Sequence, residues 1–297
     1  MDRVLHRSAL TALLLLAAAV RAGEPGTADL LVVQSPGFPG RLSMGAAGFG
    51  LAAGPDAVFG NPAMLTPGFA AGGGRWNLGT TSAAAAGAFG LGGGLRGGAG
   101  FRYLGRGNIT GRDQYGNETD VYTYGTGMAG GAVCGELGMG LSWGASLAVA
   151  WESIGSMSGS GFSGAVGLRG RTAAGLEAGL AVRGLGQTPS WNGIHKDMPT
   201  TLDGGVGLRV SKNLDLFGGG RLGLSTSSAG SVGLRGGVSG LALSTGFTLA
   251  EAEEQGGFFG GLAYEYSAGA ESYLVEISTS QRDQLDWPVL AGLTVGF

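Results

Sequence analysis

The side chains with chemistry to offer are few. Two histidines are present; His6 falls in a leader-like start, which leaves His195 in the loop Ser190-Trp-Asn-Gly-Ile-His195. A hydrolase needs a nucleophile, a base within reach of it and a group that orients the base. No such set can be assembled here, so the chain reads as a non-enzyme without a cofactor. One loop histidine and one cysteine, Cys134, are too few to ligate a metal. Cys134 also has no partner for an intramolecular disulfide. The Gly-x-Gly-x-x-Gly matches are what 65 glycines produce by chance, and none sits in a βαβ context.

What remains is charge and one specified segment. Arg169, Arg183, Arg209, Arg221, Arg235 and Glu177 each lie in an alternating stretch, on the face opposite the apolar residues. Such arginines could line a pore that selects anions. The blander reading is favoured: they pair with Glu177, Asp203, Asp215 and the N-terminal segment, and stiffen a nearly closed interior. The segment is Gly54-Pro-Asp-Ala-Val-Phe-Gly-Asn-Pro-Ala-Met-Leu65. Asn61 before Pro62 is biased away from helix, so the chain turns there. An enclosed Asp56 would be costly without a charge partner or a cap.

The elements that must position these groups follow period two. Val289, Ala291, Leu293, Val295 and Phe297 share one face, and Leu290, Gly292, Thr294 and Gly296 the other. The same alternation runs through Leu141–Glu152, Phe162–Arg169, Leu176–Arg183, Val206–Val210 and Tyr273–Ser278. Successive strand side chains point to opposite faces, so these are strands with one apolar and one small or polar face. Trp143, Trp151, Tyr264, Tyr266, Tyr273 and Trp287 cluster near strand ends, as interfacial girdles do. A closed barrel in lipid also removes the exposed edges that such strands would otherwise present.

Turn signals then give the count. Short breaks fall near Gly93–Gly94, Gly135–Gly138, Arg171–Ala174, Ser211–Asn213, Ser239–Gly240 and Ser267–Ala270. Longer ones fall at Arg106–Asp120, Ser153–Gly161, Gln187–Thr200, Ser225–Gly230, Glu251–Gly256 and Ser280–Asp286, with a tight turn near Thr81–Ala84. The expectation is an all-β, transmembrane, antiparallel up-and-down β-barrel of about 14 strands, an even number as bacterial barrels require. Short and long connections alternate, and the C-terminus lies on the short, periplasmic side. Glycine either bends a small barrel or leaves room for an internal plug; composition does not separate the two.

Composition agrees with burial and export. Hydrophobic residues make up 43% of the chain and charged ones 13%, the reverse of a disordered sequence, and nine prolines without a Gly-X-Y period exclude collagen. A net charge of −3 implies no nucleic-acid partner. Residues 1–22 carry a basic start, the apolar run Ala9–Val20 and small residues at Val20 and Ala22. That is the pattern of a secretory signal peptide, too short for a membrane anchor.

Two stretches carry a family resemblance. The strand ending in Phe297 resembles the terminal aromatic signal of bacterial outer-membrane barrels, which implies recognition by the barrel-assembly machinery. Arg41-Leu-Ser-Met44-Gly45-Ala-Ala47, followed by Gly50-Leu-Ala-Ala-Gly-Pro-Asp56-Ala57-Val-Phe59-Gly-Asn61-Pro62-Ala63-Met-Leu65, resembles the opening of the PorV/PorQ family and the related FadL-type barrels. Ala46 and Met64 depart from that pattern, where glycine is usual. The resemblance implies residence in the bacterial outer membrane, in contact with its lipid. It also implies residues 23–72 as a hatch inside a barrel of residues 73–297, with Arg41, Met44, Gly45, Asp56, Asn61, Pro62 and Ala63 as its motif. Asn108-Ile-Thr and Asn117-Glu-Thr match a glycosylation pattern that is not expected to be used on such a barrel.

Two functions follow from the resemblance. The PorV-like reading, ranked first, is an accessory of type IX-like secretion or surface attachment that meets secretion-complex proteins. The FadL-like reading is a passive conduit for a hydrophobic ligand, with the hatch gating the lumen. Short connections and a glycine-rich interior are expected to leave no large pocket.

Overall fold

The computed structural model describes residues 31–76, 79–188, 190–191, 194–195, 197–251, 256–281 and 287–297. The signal segment 1–22 and the start of the expected hatch lie outside the described residues.

Alternation produces strands throughout. They are β1 (Gly68–Arg75), β2 (Thr81–Gly92), β3 (Leu95–Arg112), β4 (Glu118–Gly138), β5 (Leu141–Ile154), β6 (Met157–Arg171) and β7 (Leu176–Gln187). A two-residue hairpin, β8 (Ser190–Trp191) with β9 (Ile194–His195), is followed by β10 (Thr201–Ser211), β11 (Leu214–Gly223) and β12 (Ala229–Val238). Then come β13 (Leu241–Ala250), β14 (Gly257–Ala268), β15 (Glu271–Ser280) and β16 (Val289–Gly296). β1–β7 and β10–β16 close into one antiparallel barrel of 14 strands, sealed where Phe69 faces Val295 and Arg75 faces Val289. Each wall strand is therefore paired on both sides and the sheet has no open edge, the condition for a sheet in lipid.

The outward face is apolar and bare. Val232, Leu249, Phe258 and Leu147 are each more than 60% exposed, in a belt that continues through Leu180, Val206, Leu243, Ile277 and Leu293. A soluble protein does not leave so continuous an apolar surface in water. Tyr264 and Tyr266 mark the belt near the short turns, and Phe101 stacks 5.9 Å from Trp151 toward the other end.

Several boundaries differ from the sequence reading, each for a local reason. β1 opens at Gly68, so barrel begins before residue 73; Gly68, at φ +145°, makes the corner out of the lumen. Thr81–Ala84 lies within β2, and the chain closes before it, where the Trp76 N–H donates to the Thr80 carbonyl at 2.7 Å. The polar stretch Ser153–Gly161 is mostly strand, because β5 and β6 pair up to Ile154 and Met157 across a two-residue turn. Arg106–Asp120 is largely paired too: Ile109 faces Tyr122 and Arg112 faces Glu118. This hairpin rises above its neighbours, since β2 pairs with β3 only up to Gly105 and β5 with β4 only up to Tyr124.

Residues 31–67 fill the lumen as short helical pieces: α1 (Leu31–Gln34), α2 (Pro39–Leu42), α3 (Gly48–Leu51) and three single 3-10 turns at Gly45–Ala47, Pro55–Phe59 and Pro62–Met64. Pieces of three to five residues cannot hold themselves in water. Their support is the wall, against which Val32, Ala47, Ala57, Ala63, Met64 and Leu65 are fully buried.

Candidate functional site

The site is the contact between this plug and the wall. Its most specified point is Asn61. The Asn61 side-chain oxygen accepts from the Ala63 N–H at 3.0 Å and so caps the turn that Pro62 starts. Its side-chain amide donates to the carbonyl of Gly50 at 3.2 Å and to that of Leu168, in wall strand β6, at 3.0 Å. One side chain thus closes the Asn-Pro-Ala turn and fastens it to the barrel.

Small wall residues make the close approach possible. A Cβ on Gly167 would overlap the Asn61 amide, one on Gly144 the backbone of Pro62 and Ala63, and one on Gly179 the carbonyl of Gly50. Gly205 similarly receives Leu51, and Gly100 receives Phe59. These inward glycines are seats for the plug. Of the two uses of glycine open to the sequence, plug accommodation has specific contacts behind it.

Further polar ties run from wall to plug. The Ser231 hydroxyl accepts from Ala47 N–H at 2.9 Å and donates to Met44 carbonyl at 3.2 Å. Ser278 donates to Pro39 carbonyl at 2.9 Å, and Arg96 to Leu65 carbonyl at 2.9 Å. Gly45, at φ +57°, faces Thr248 and Phe259 with no room for a side chain.

Buried charge is concentrated at mid-lumen. Arg41 lies 3.0 Å from Asp56, so these two motif residues pair with each other within the plug. The wall supplies a second group: Asp203 accepts from Arg183 at 2.8 Å, from Arg221 at 3.1 Å and from Thr201 at 2.6 Å. Arg183 also donates to Val33 carbonyl at 3.3 Å. Phe49 joins the two groups. Its ring centroid lies 4.0 Å from the guanidinium of Arg183, 4.4 Å from that of Arg221 and 5.7 Å from that of Arg41. Cation–π contacts of this kind strengthen when desolvated.

Three further wall arginines of the sequence reading lie toward the short-turn mouth. Arg169 pairs with Glu177 at 2.6 Å and Arg209 with Asp215 at 3.1 Å, while Arg235 stands 3.9 Å from Glu276. These pairs rim a cavity of about 330 Å³ between the underside of the plug and the wall. Phe38, Pro39, Met44, Leu51, Phe217 and Leu274 give it an apolar lining, and Asp56 reaches it from the plug. The volume lies near the lower end of small-molecule sites, which run from about 300 Å³. The expectation of no large pocket holds only in that sense, because the plug stops short of the mouth and leaves this space below it.

The other sequence candidates fall elsewhere. Cys134 is buried against the carbonyl of Ala63 at 3.6 Å. The backbone of His195 belongs to the β8–β9 hairpin between β7 and β10, and its side chain is outside what is described. Phe297 follows β16 at the short-turn end. Among the described residues no cluster of potential metal ligands is found. Sequence reasoning missed Arg102, Phe49 and Ser231. Arg102 was within reach, since it alternates with outward Phe101 and Tyr103; Phe49 lies in an aperiodic segment with no such signal.

No protein-family model and no curated protein matches the chain. Solved structures do. The chain is similar to the Ralstonia pickettii toluene transporter TbuX at 16% identity and a TM-score of 0.61, covering 87% of this chain and 97% of that one. It is similar to the CymD monoaromatic hydrocarbon channel at 12% identity and 0.63, covering 87% and 96%. A Pseudomonas aeruginosa FadL homologue matches at 11% identity and 0.54, covering 85% and 96%. At these identities the likeness is one of fold alone, a closed 14-stranded antiparallel β-barrel.

Proposed function

We propose that this chain is a non-enzymatic conduit for small hydrophobic molecules across the outer membrane, gated by the plug of residues 31–67. The observation that carries the reading is the 330 Å³ cavity directly below the plug, with an apolar lining and a rim of paired charges. Apolar walls with a few placed polar groups are what a hydrophobic solute needs to leave lipid or plug and pass toward water. The solved barrels of the same fold include a toluene transporter and a monoaromatic hydrocarbon channel, whose ligands are of a size to suit this space. The alternative, an accessory of type IX-like secretion, rests on the motif between Arg41 and Leu65 alone.

Binding of toluene to the detergent-solubilised protein tests the reading, with Ala52→Trp introduced to fill the cavity. Saturable binding that Ala52→Trp abolishes is the expected result. Absence of binding, together with unchanged hydrocarbon uptake when the gene is deleted, would reject it. Recovery of secretion-complex subunits with the intact protein would then favour the accessory reading.

A further inference from the structure

Arg102 is the odd member of the buried charge. It projects inward from β3 and is 2% exposed, yet among the described residues none of its partners is an acid. One terminal nitrogen donates to the Ser35 carbonyl at 2.6 Å and the other to the Met128 sulfur at 2.9 Å, while its plane lies 4.6 Å from the centroid of Phe59. Its Nε is buried without a hydrogen-bond partner among the described residues. A buried guanidinium cannot be neutralised by losing its proton, so it requires a compensating charge.

The surroundings deepen the deficit. Arg41, Arg102 and Arg183 lie buried at mid-lumen with the partly buried Arg221 beside them, and among the described residues only Asp56 and Asp203 are paired with any of them. Among the described residues these four cations face two carboxylates directly, with the buried Glu152 one inward position further along β5 and bonded to Tyr124, so positive charge stays in excess. Between Arg102 and Arg183 the packing leaves a void of about 20 Å³, whose wall also includes Ser146, Ser163 and the apolar Val33 and Phe59. That is room for one species of water size or slightly more. A water would satisfy the donors but not the charge.

We propose that this void is a binding site for a small monovalent inorganic anion, a halide such as chloride, held by Arg102 and Arg183 with the hydroxyls of Ser146 and Ser163. The anion neutralises one of the unmatched guanidiniums. It also ties α1 to the wall, since Arg102 and Arg183 already hold the carbonyls of Ser35 and Val33. The site is thus a counterion of the plugged state, independent of what the cavity below the plug carries.

The test uses the full-length protein folded in detergent and dialysed into sodium gluconate, an anion too large for the void. Sodium chloride or bromide is titrated in at constant ionic strength while the thermal unfolding midpoint is followed. Both halides are expected to raise the midpoint saturably, and a bromide-soaked crystal to show an anomalous peak between Arg102 and Arg183. Ser163→Ala should raise the half-saturating chloride concentration about tenfold, the value of one hydrogen bond to a charged group. Arg102→Met should remove the halide dependence; if that variant does not fold, Ser163→Ala and the bromide map decide. Equal midpoints in chloride and gluconate, or a void without a bromide peak, would overturn the proposal.

Discussion

Replacing Asp203 by asparagine keeps the shape of the wall but leaves Arg183 and Arg221 buried without their shared carboxylate. Stripping one partner from a buried ion pair costs about 3–5 kcal/mol, so Asp203→Asn should lower the urea midpoint of the folded barrel accordingly. A milder charge effect is expected at the tip of the β3–β4 hairpin. There the Asn117 side-chain amide at 3.0 Å, aided by the N–H groups of Asn117 and Tyr115, holds the Asp113 carboxyl below the ordinary carboxylate range. The sign follows: order at the tip is fully present above the ordinary carboxylate pKa and lost as pH falls through the depressed value. Amide exchange at Tyr115 and Asn117 should accelerate over that window, with the barrel unaffected; pH-independent exchange would contradict it. Residues in alternating strands were legible because parity alone tells which way Arg183 or Glu177 points. The Arg41–Asp56 pair was not, since fifteen residues of aperiodic chain give no rule for which side chains meet.

At the scale of elements, the plug is held by complementarity between short turns and bare wall backbone. A Cβ on Gly205 would stand 2.6 Å from Leu51, whereas one on Gly90 meets nothing within 4 Å. Gly205→Val should therefore destabilise by about 1–3 kcal/mol through overpacking. Gly90→Ala should stay within about 0.5 kcal/mol, both read from unfolding midpoints. Equal effects would mean that inward glycine serves curvature and not the plug. The strands themselves were readable from period two, and their number from turn signals. Their ends were less so: polar residues between Ser153 and Gly161 resemble a loop, but above the membrane a strand needs no apolar face to remain paired. The helical pieces of the plug escaped sequence reading because tertiary contact, not periodicity, specifies them.

For the molecule as a whole, the outward belt must face lipid. Val232, two-thirds exposed in the middle of β12, is the place to ask. Val232→Arg should destabilise the barrel in lipid by about 2–4 kcal/mol, the cost of a charge near the bilayer midplane; no loss would place that face in water. The same architecture bears on transport, because a plug fastened across the lumen must yield for a solute to reach the cavity beneath it. Gly219 and Ala47 offer a lock: a Cβ built at Gly219 lies 3.0 Å from that of Ala47, about half an ångström short of disulfide range, and 2.3 Å from the Gly204 carbonyl oxygen, so the bond forms only with an outward shift of β11 at that point. The decisive measurement is toluene uptake by intact cells that carry Ala47→Cys with Gly219→Cys in a Cys134→Ala background. With the bond formed, uptake should fall to the rate of cells lacking the protein, and reduction should restore it. Unchanged uptake with the bond verified would contradict a plug-gated conduit.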